Sequence, residues 1–151
     1  MSFYGEFEHS IDNKGRLIVP SRLRSPIRDY FIEKFFITPG FDEARCLYLF
    51  PPEEWQKIEK KFLSLPINKS RNRAVHRLFF SGAFVADCDK QGRILIPKKL
   101  LEYGEIEKDV MIVGVSSRLE VWALAKWKIY MDQVKTDYAD MAENLENFLA
   151  D

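Results

Sequence analysis

Two nine-residue segments, DNKGRLIVP at 12–20 and DKQGRILIP at 89–97, keep Asp, Gly, Arg and Pro in the same places. A chain that writes one local unit twice must build it twice, so the repeat constrains the architecture before any propensity does. The match runs outwards in both directions. GEFEHSID (5–12) aligns with GAFVADCD (82–89), and Leu23 aligns with Leu100. Each copy then has an apolar run, FFIT at 35–38 and VMIVGV at 110–115, with a small slip of register between them. LYLFPPEEW (47–55) and LEVWALAKW (119–127) recover it, placing Leu47, Phe50 and Trp55 on Leu119, Trp122 and Trp127.

An amphipathic helix is predicted after each copy. Trp55, Ile58, Phe62 and Leu65 recur at steps of three and four between PPEE as a start and Pro66 as a stop. Trp127, Met131, Val134, Tyr138, Met141, Leu145 and Phe148 do the same in one longer helix. Such stripes are packing faces. The basic stretch NKSRNRAVHRLFF at 68–80 predicts a helix between the copies. Each copy therefore reads as strand, tight turn, strand, short helix, two strands, long helix. With 151 residues, 46% of them hydrophobic, and no Gly/Ser linker, one pseudo-symmetric body is expected rather than two independent domains.

Within DxxGRxxxP, Asp supplies an acceptor for turn N–H groups, Gly permits a positive φ, and Pro20 and Pro97 end strand pairing because they lack a donor. Turn geometry does not demand the arginine. Lys14 and Lys90 lie in the turns, and Arg22, Arg24, Lys98 and Lys99 follow the prolines, so each copy gathers a basic cluster. One reading makes Arg16 and Arg93 salt-bridge partners of their own aspartates. The other puts them on DNA, because a two-stranded β-ribbon fits the major groove, where Arg can bond guanine in a fork.

The formal net charge is zero, but residues 1–100 carry 18 Lys and Arg against 12 Asp and Glu, while residues 101–151 carry 5 against 11. A neutral total thus covers a basic part and an acidic tail. No phosphate loop, HExxH, GxSxG, GxGxxG or CxxC is present, so no catalytic residue and no cofactor is expected. Cys46 and Cys88 are far apart with only His9 and His76 to help them, which predicts incidental thiols and no metal. His9 falls on Ala86 in the second copy and is not part of what the repeat preserves. The apolar runs fall far short of the roughly 18 residues a membrane span needs, and MSFYGEFEHS has no signal pattern. A cytoplasmic protein with no membrane partner is expected.

The double DxxGRxxxP, the HSIDNKGRLIVPSRLR run, LYLFPPEEW and MIVGVSSRLEVWALAKW together resemble the MraZ family of bacterial transcriptional regulators, from Phe3 to about Tyr138. The resemblance implies an α+β fold: a tandem, pseudo-symmetric AbrB-like swapped-hairpin β-barrel formed by two repeats, with amphipathic helices after each. It divides the chain into a first AbrB-like DNA-binding repeat (5–52), a helical connection (53–80), a second repeat (81–124) and a C-terminal amphipathic helix (125–151). It further implies sequence-specific binding to direct repeats in the promoter of the division and cell-wall gene cluster, assembly into an octamer-like ring, association with the nucleoid and no small-molecule substrate. Carried over residue by residue, the DNA-contacting arginine falls on Arg16 and Arg93, with Asp12, Gly15, Asp89 and Gly92 shaping the turns.

The chain departs from the family pattern at Gln91, at Leu101 opposite Arg24, at Tyr4, and at Pro26, which is placed to kink or restart the short helix. These departures predict that the first copy dominates DNA contact. A protein-interaction scaffold with structural arginines is the alternative, and an antitoxin-like role is a third reading that the complete second repeat disfavours.

Overall fold

The computed structural model describes residues 2–25, 31–41 and 43–150, and Pro26 lies outside them. The first copy gives β1 (Glu6–Ser10), β2 (Arg16–Ile18), α1 (Ser21–Arg24), β3 (Lys34–Pro39), β4 (Leu47–Phe50), α2 (Pro52–Leu63) and α3 (Ser70–Ser81). The second gives β5 (Phe84–Asp87), β6 (Arg93–Leu95), α4 (Lys98–Tyr103), β7 (Asp109–Val115), β8 (Arg118–Ala123), α5 (Leu124–Thr136) and α6 (Tyr138–Ala150).

The strands form two sheets, and both are built across the copies. A six-stranded antiparallel sheet runs β1-β7-β8-β4-β3-β5, and a two-stranded ribbon pairs β2 with β6. The first strand of each copy thus lies against the third strand of the other, Phe7 opposite Ile112 and Val85 opposite Phe36. In the ribbon, Leu17 stands opposite Ile94. Neither copy completes its own sheet.

Period-two alternation sends neighbouring side chains of the large sheet to opposite faces. Phe35, Ile37, Leu47, Leu49, Ile112, Leu119 and Val121 meet Leu17, Val19, Ile94 and Ile96 in one core, which also takes Leu23 from α1 and Leu100 from α4. Tyr48, Phe50, Val113 and Trp122 point the other way and meet Trp55, Phe79 and Trp127 from the long helices. Being covered on both faces explains why β4 reads LYLF, an unbroken apolar run. The helix side is largely aromatic: Trp55 stacks on Phe36 at 4.8 Å between centroids, and Phe62 stacks on Phe79 at 4.5 Å. One charge is buried there. The Glu120 carboxylate accepts from Arg118 Nη2 at 2.7 Å and from Trp122 Nε1 at 3.0 Å, so it is paired and hydrogen-bonded.

Two sequence expectations change in detail. The first long helix ends at Leu63 with Ser64 as its C-cap, so Leu65 lies past it. The second is two helices that meet at Asp137, and α6 carries no buried residue. A continuous stripe at helical spacing fits either case, because two helices in sequence keep the same period.

Leu17 is fully buried in the core shared by both copies. Leu17→Ala is expected to cost about 2–5 kcal/mol and to lower the midpoint of a single urea transition followed by circular dichroism. Two separate transitions would show that the copies fold independently.

Candidate nucleic-acid interface

Each turn is organised by one carboxylate. Asp12 Oδ1 accepts the backbone N–H groups of Lys14 and Arg16, both at 2.9 Å, while Oδ2 accepts Arg16 Nε at 2.7 Å. The turn closes through Gly15 N–H to the Asp12 carbonyl at 3.0 Å and Asp12 N–H to the Arg16 carbonyl at 3.0 Å. The second copy repeats this bond for bond. Asp89 Oδ1 takes Gln91 N–H at 2.9 Å and Arg93 N–H at 2.8 Å, and Oδ2 takes Arg93 Nε at 2.7 Å. Gly15 and Gly92 sit at φ of 81° and 78°, in the left-handed region that glycine enters at least cost.

The aspartate therefore both shapes the turn and holds the arginine. It engages only Nε. A guanidinium has five N–H donors, and the four on its Nη atoms lie outside this pair. The side chains of Arg16 and Arg93 are 30% and 29% exposed, so each is fixed at its root and reachable at its tip.

The ribbon aims both arginines the same way. Leu17 and Ile94 face inward, so Arg16, Ile18, Arg93 and Leu95 share the outer face, Arg16 opposite Leu95 and Ile18 opposite Arg93. Ile18 and Leu95 are 47% and 48% exposed. Sequence reasoning took them for strand-forming apolar residues. The available signal was strict alternation across a three-residue strand, which puts the flanking positions on the arginine's side.

The remaining basic residues divide. Lys14, Lys90 and Lys99 are exposed, and Lys98 is exposed with its Nζ 4.0 Å from Glu102. Arg22 is also exposed, its guanidinium carbon 5.8 Å from the centroid of the Phe7 ring. Arg24 does something else. Its Nε donates to the Val19 carbonyl at 2.7 Å, and its guanidinium lies against Gly92 of the second turn, where any Cβ would overlap it. Grouped by sequence with the basic cluster, Arg24 instead links the first copy to the second turn. Its counterpart, Leu101, packs partly buried against the apolar core.

Both aspartates titrate below their ordinary value of 3.8, first because of the Arg16 or Arg93 backbone N–H, then because of the arginine side chain. The Cys88 thiol is pushed up to about 11 by burial and is unreactive at neutral pH. Among the described residues, no group of three or more His, Cys, Asp or Glu side chains could hold a metal ion, and no helix is long and apolar enough to cross a membrane.

Fold and site together define a tandem α+β repeat protein, with two copies of one Asp-x-x-Gly-Arg turn on a shared ribbon. Comparison with known proteins names the family. The model of the family described as "MraZ protein, putative antitoxin-like" matches residues 2–78 and again 79–148, and the chain belongs to the MraZ family. It is 45% identical over 97% of its length to a protein of Desulforamulus reducens, covering 99% of that protein. A relative from Pediococcus pentosaceus is 46% identical over 97% of this chain and 98% of its own, and one from Desulfitobacterium hafniense is 47% identical over 96% and 97%. All three are named transcriptional regulator MraZ, so the family is one of regulators and not of enzymes.

Two outcomes test the turn geometry. A carboxylate with a depressed folded pKa contributes stability above its unfolded value and loses that contribution as pH falls through the folded one. Both aspartates should therefore show NMR titration midpoints below 3.8, with the turns loosening only in acid below that value. Arg24→Leu should speed amide exchange severalfold at Gln91–Arg93 and leave Lys14–Arg16 unchanged, because only the second turn rests on that guanidinium.

Proposed function

We propose that this chain is a sequence-specific DNA-binding transcriptional regulator, with Arg16 and Arg93 as its base-reading residues. The observation that carries the reading is the outward ribbon face. Both arginines are held there at Nε with Nη donors to spare, and a two-stranded ribbon is narrow enough to enter a major groove about 12 Å wide. A forked arginine–guanine contact discriminates by about 1–3 kcal/mol. Ile18 and Leu95, between the arginines, suit thymine methyl groups. Lys14, Lys90, Arg22, Lys98 and Lys99 act as phosphate contacts that set position and salt dependence. Arg24 serves by supporting the second turn.

The resemblance to MraZ supports a target of direct repeats in the promoter of the division and cell-wall gene cluster, which usually includes the regulator's own gene. The chain binds there as a ring-shaped, octamer-like homo-oligomer on the nucleoid in the cytoplasm, so that several ribbons engage neighbouring repeats and avidity multiplies weak single contacts. The scaffold reading draws on the same Asp–Arg pairs, since an arginine satisfied within its own turn can be purely structural.

A titration against the upstream duplex and a scrambled duplex at two salt concentrations separates them. Arg16→Ala is expected to bring affinity for the native duplex down to the scrambled level, with sedimentation and circular dichroism unchanged, and Arg93→Ala to cause a smaller loss. Binding that is equal for both duplexes, or absent, would favour the scaffold.

A further inference from the structure

Two apolar surfaces are absorbed neither by the core nor by the ribbon. On α6, Tyr138, Met141, Leu145, Phe148 and Leu149 recur on one face, with Phe148 75% exposed. Residues 137–150 add Asp137, Asp140, Glu143 and Glu146 and contain no Lys or Arg. An amphipathic acidic helix with nothing beneath it is a half-made contact. The second surface is a groove of about 630 Å³ beside α2 and α3, lined by Phe41, Phe62, Val75, Leu78 and Phe79 among others, with Leu78 76% exposed. The helices beside it carry the opposite balance: residues 52–81, which span α2 and α3, hold seven Lys and Arg against three Glu. Arg71 stands one helical turn before Val75 on α3.

We infer that α6 of one chain docks in the α2–α3 groove of a second copy. Charge selects the occupant: an apolar stripe on an acidic helix meets an apolar groove between two helices with an excess of Lys and Arg, and both are encoded in the same chain. The two surfaces differ, so the contact is head-to-tail. Each chain gives one helix and receives another, which yields a closed ring if the rotation closes and an open chain if it does not. The inference rests on the self-association part of the proposed function and assigns it residues.

Sedimentation velocity without DNA tests it. Leu145→Glu with Phe148→Glu spoils the helix, and Val75→Glu with Leu78→Glu spoils the groove; all four side chains are exposed, and circular dichroism checks the fold. The parent should sediment as an assembly larger than a dimer and each variant alone as a monomer. An equimolar mixture should form dimers and nothing larger, because only one helix and one groove remain intact. Should the groove variant fail to fold, Arg71→Glu with Arg77→Glu weakens assembly, and Glu143→Lys with Glu146→Lys in the same chain restores it. Variants that assemble like the parent, or a mixture that stays monomeric, would overturn the inference and leave self-association standing. A monomeric parent would overturn both, and neither result bears on DNA binding, which the duplex titration reads separately.

Discussion

Strand exchange between the two copies is the constraint on which the rest depends. With β1 on β7 and β5 on β3, each copy's first strand finds its backbone partners only in the other. Backbone N–H and C=O groups must be paired when buried, so half a chain would leave a sheet unfinished. The same exchange brings β2 beside β6 and makes one ribbon from a strand of each copy. Val19 N–H bonds to the Gly92 carbonyl and Ile96 N–H to the Gly15 carbonyl, so each strand's end is fastened to the other copy's turn. Arg16 and Arg93 share an outer face because of that pairing.

Within this frame the aspartate decides what the arginine can do. A free arginine on a strand would sample many rotamers and lose that freedom on binding. Here the carboxylate takes Nε and two backbone N–H groups at once, so turn and side chain are set together before any ligand arrives. The pair is solvent-exposed and contributes little to stability by itself. Its consequence is geometric. The two copies differ not in this pair but in what stands behind it: Arg24 braces the second turn, and its counterpart behind the first is the apolar Leu101.

The sequence made the local unit legible and left the pairing out of sight. Asp-x-x-Gly announced the turn, and alternation announced the strands on either side, because both depend on residues close in the chain. Which strand lies beside which depends on contacts far apart in the chain, such as Phe36 with Val85 and Phe7 with Ile112, and periodicity is silent there. The tandem repeat was legible from the pattern itself, and the resemblance to MraZ added the expectation of an AbrB-like swapped-hairpin fold. Charge read along the sequence put Arg24 in the basic cluster, and its contact with the second turn was not legible there because it depends on Gly92 having no side chain to exclude it. Ile18 and Leu95 were not singled out, since an apolar residue in a strand does not by itself declare which face it is on. The break at Asp137 escaped because an apolar stripe reports period, and two successive helices share it.

Zero net charge is a poor guide to this chain because electrostatic contact is local. Screening at physiological salt cuts interactions off beyond about 8 Å, so a DNA phosphate at the ribbon would feel Lys14, Arg16, Lys90 and Arg93, not the chain's total. On the proposed reading the acidic C-terminal third then has its own use. It lowers the uniform attraction to DNA that a wholly basic protein carries, while the ribbon keeps its donors in fixed positions. Discrimination between sites depends on the ratio of specific to nonspecific affinity. On that reading, charge held at the ribbon raises the ratio, whereas charge elsewhere on the fold raises only the nonspecific part.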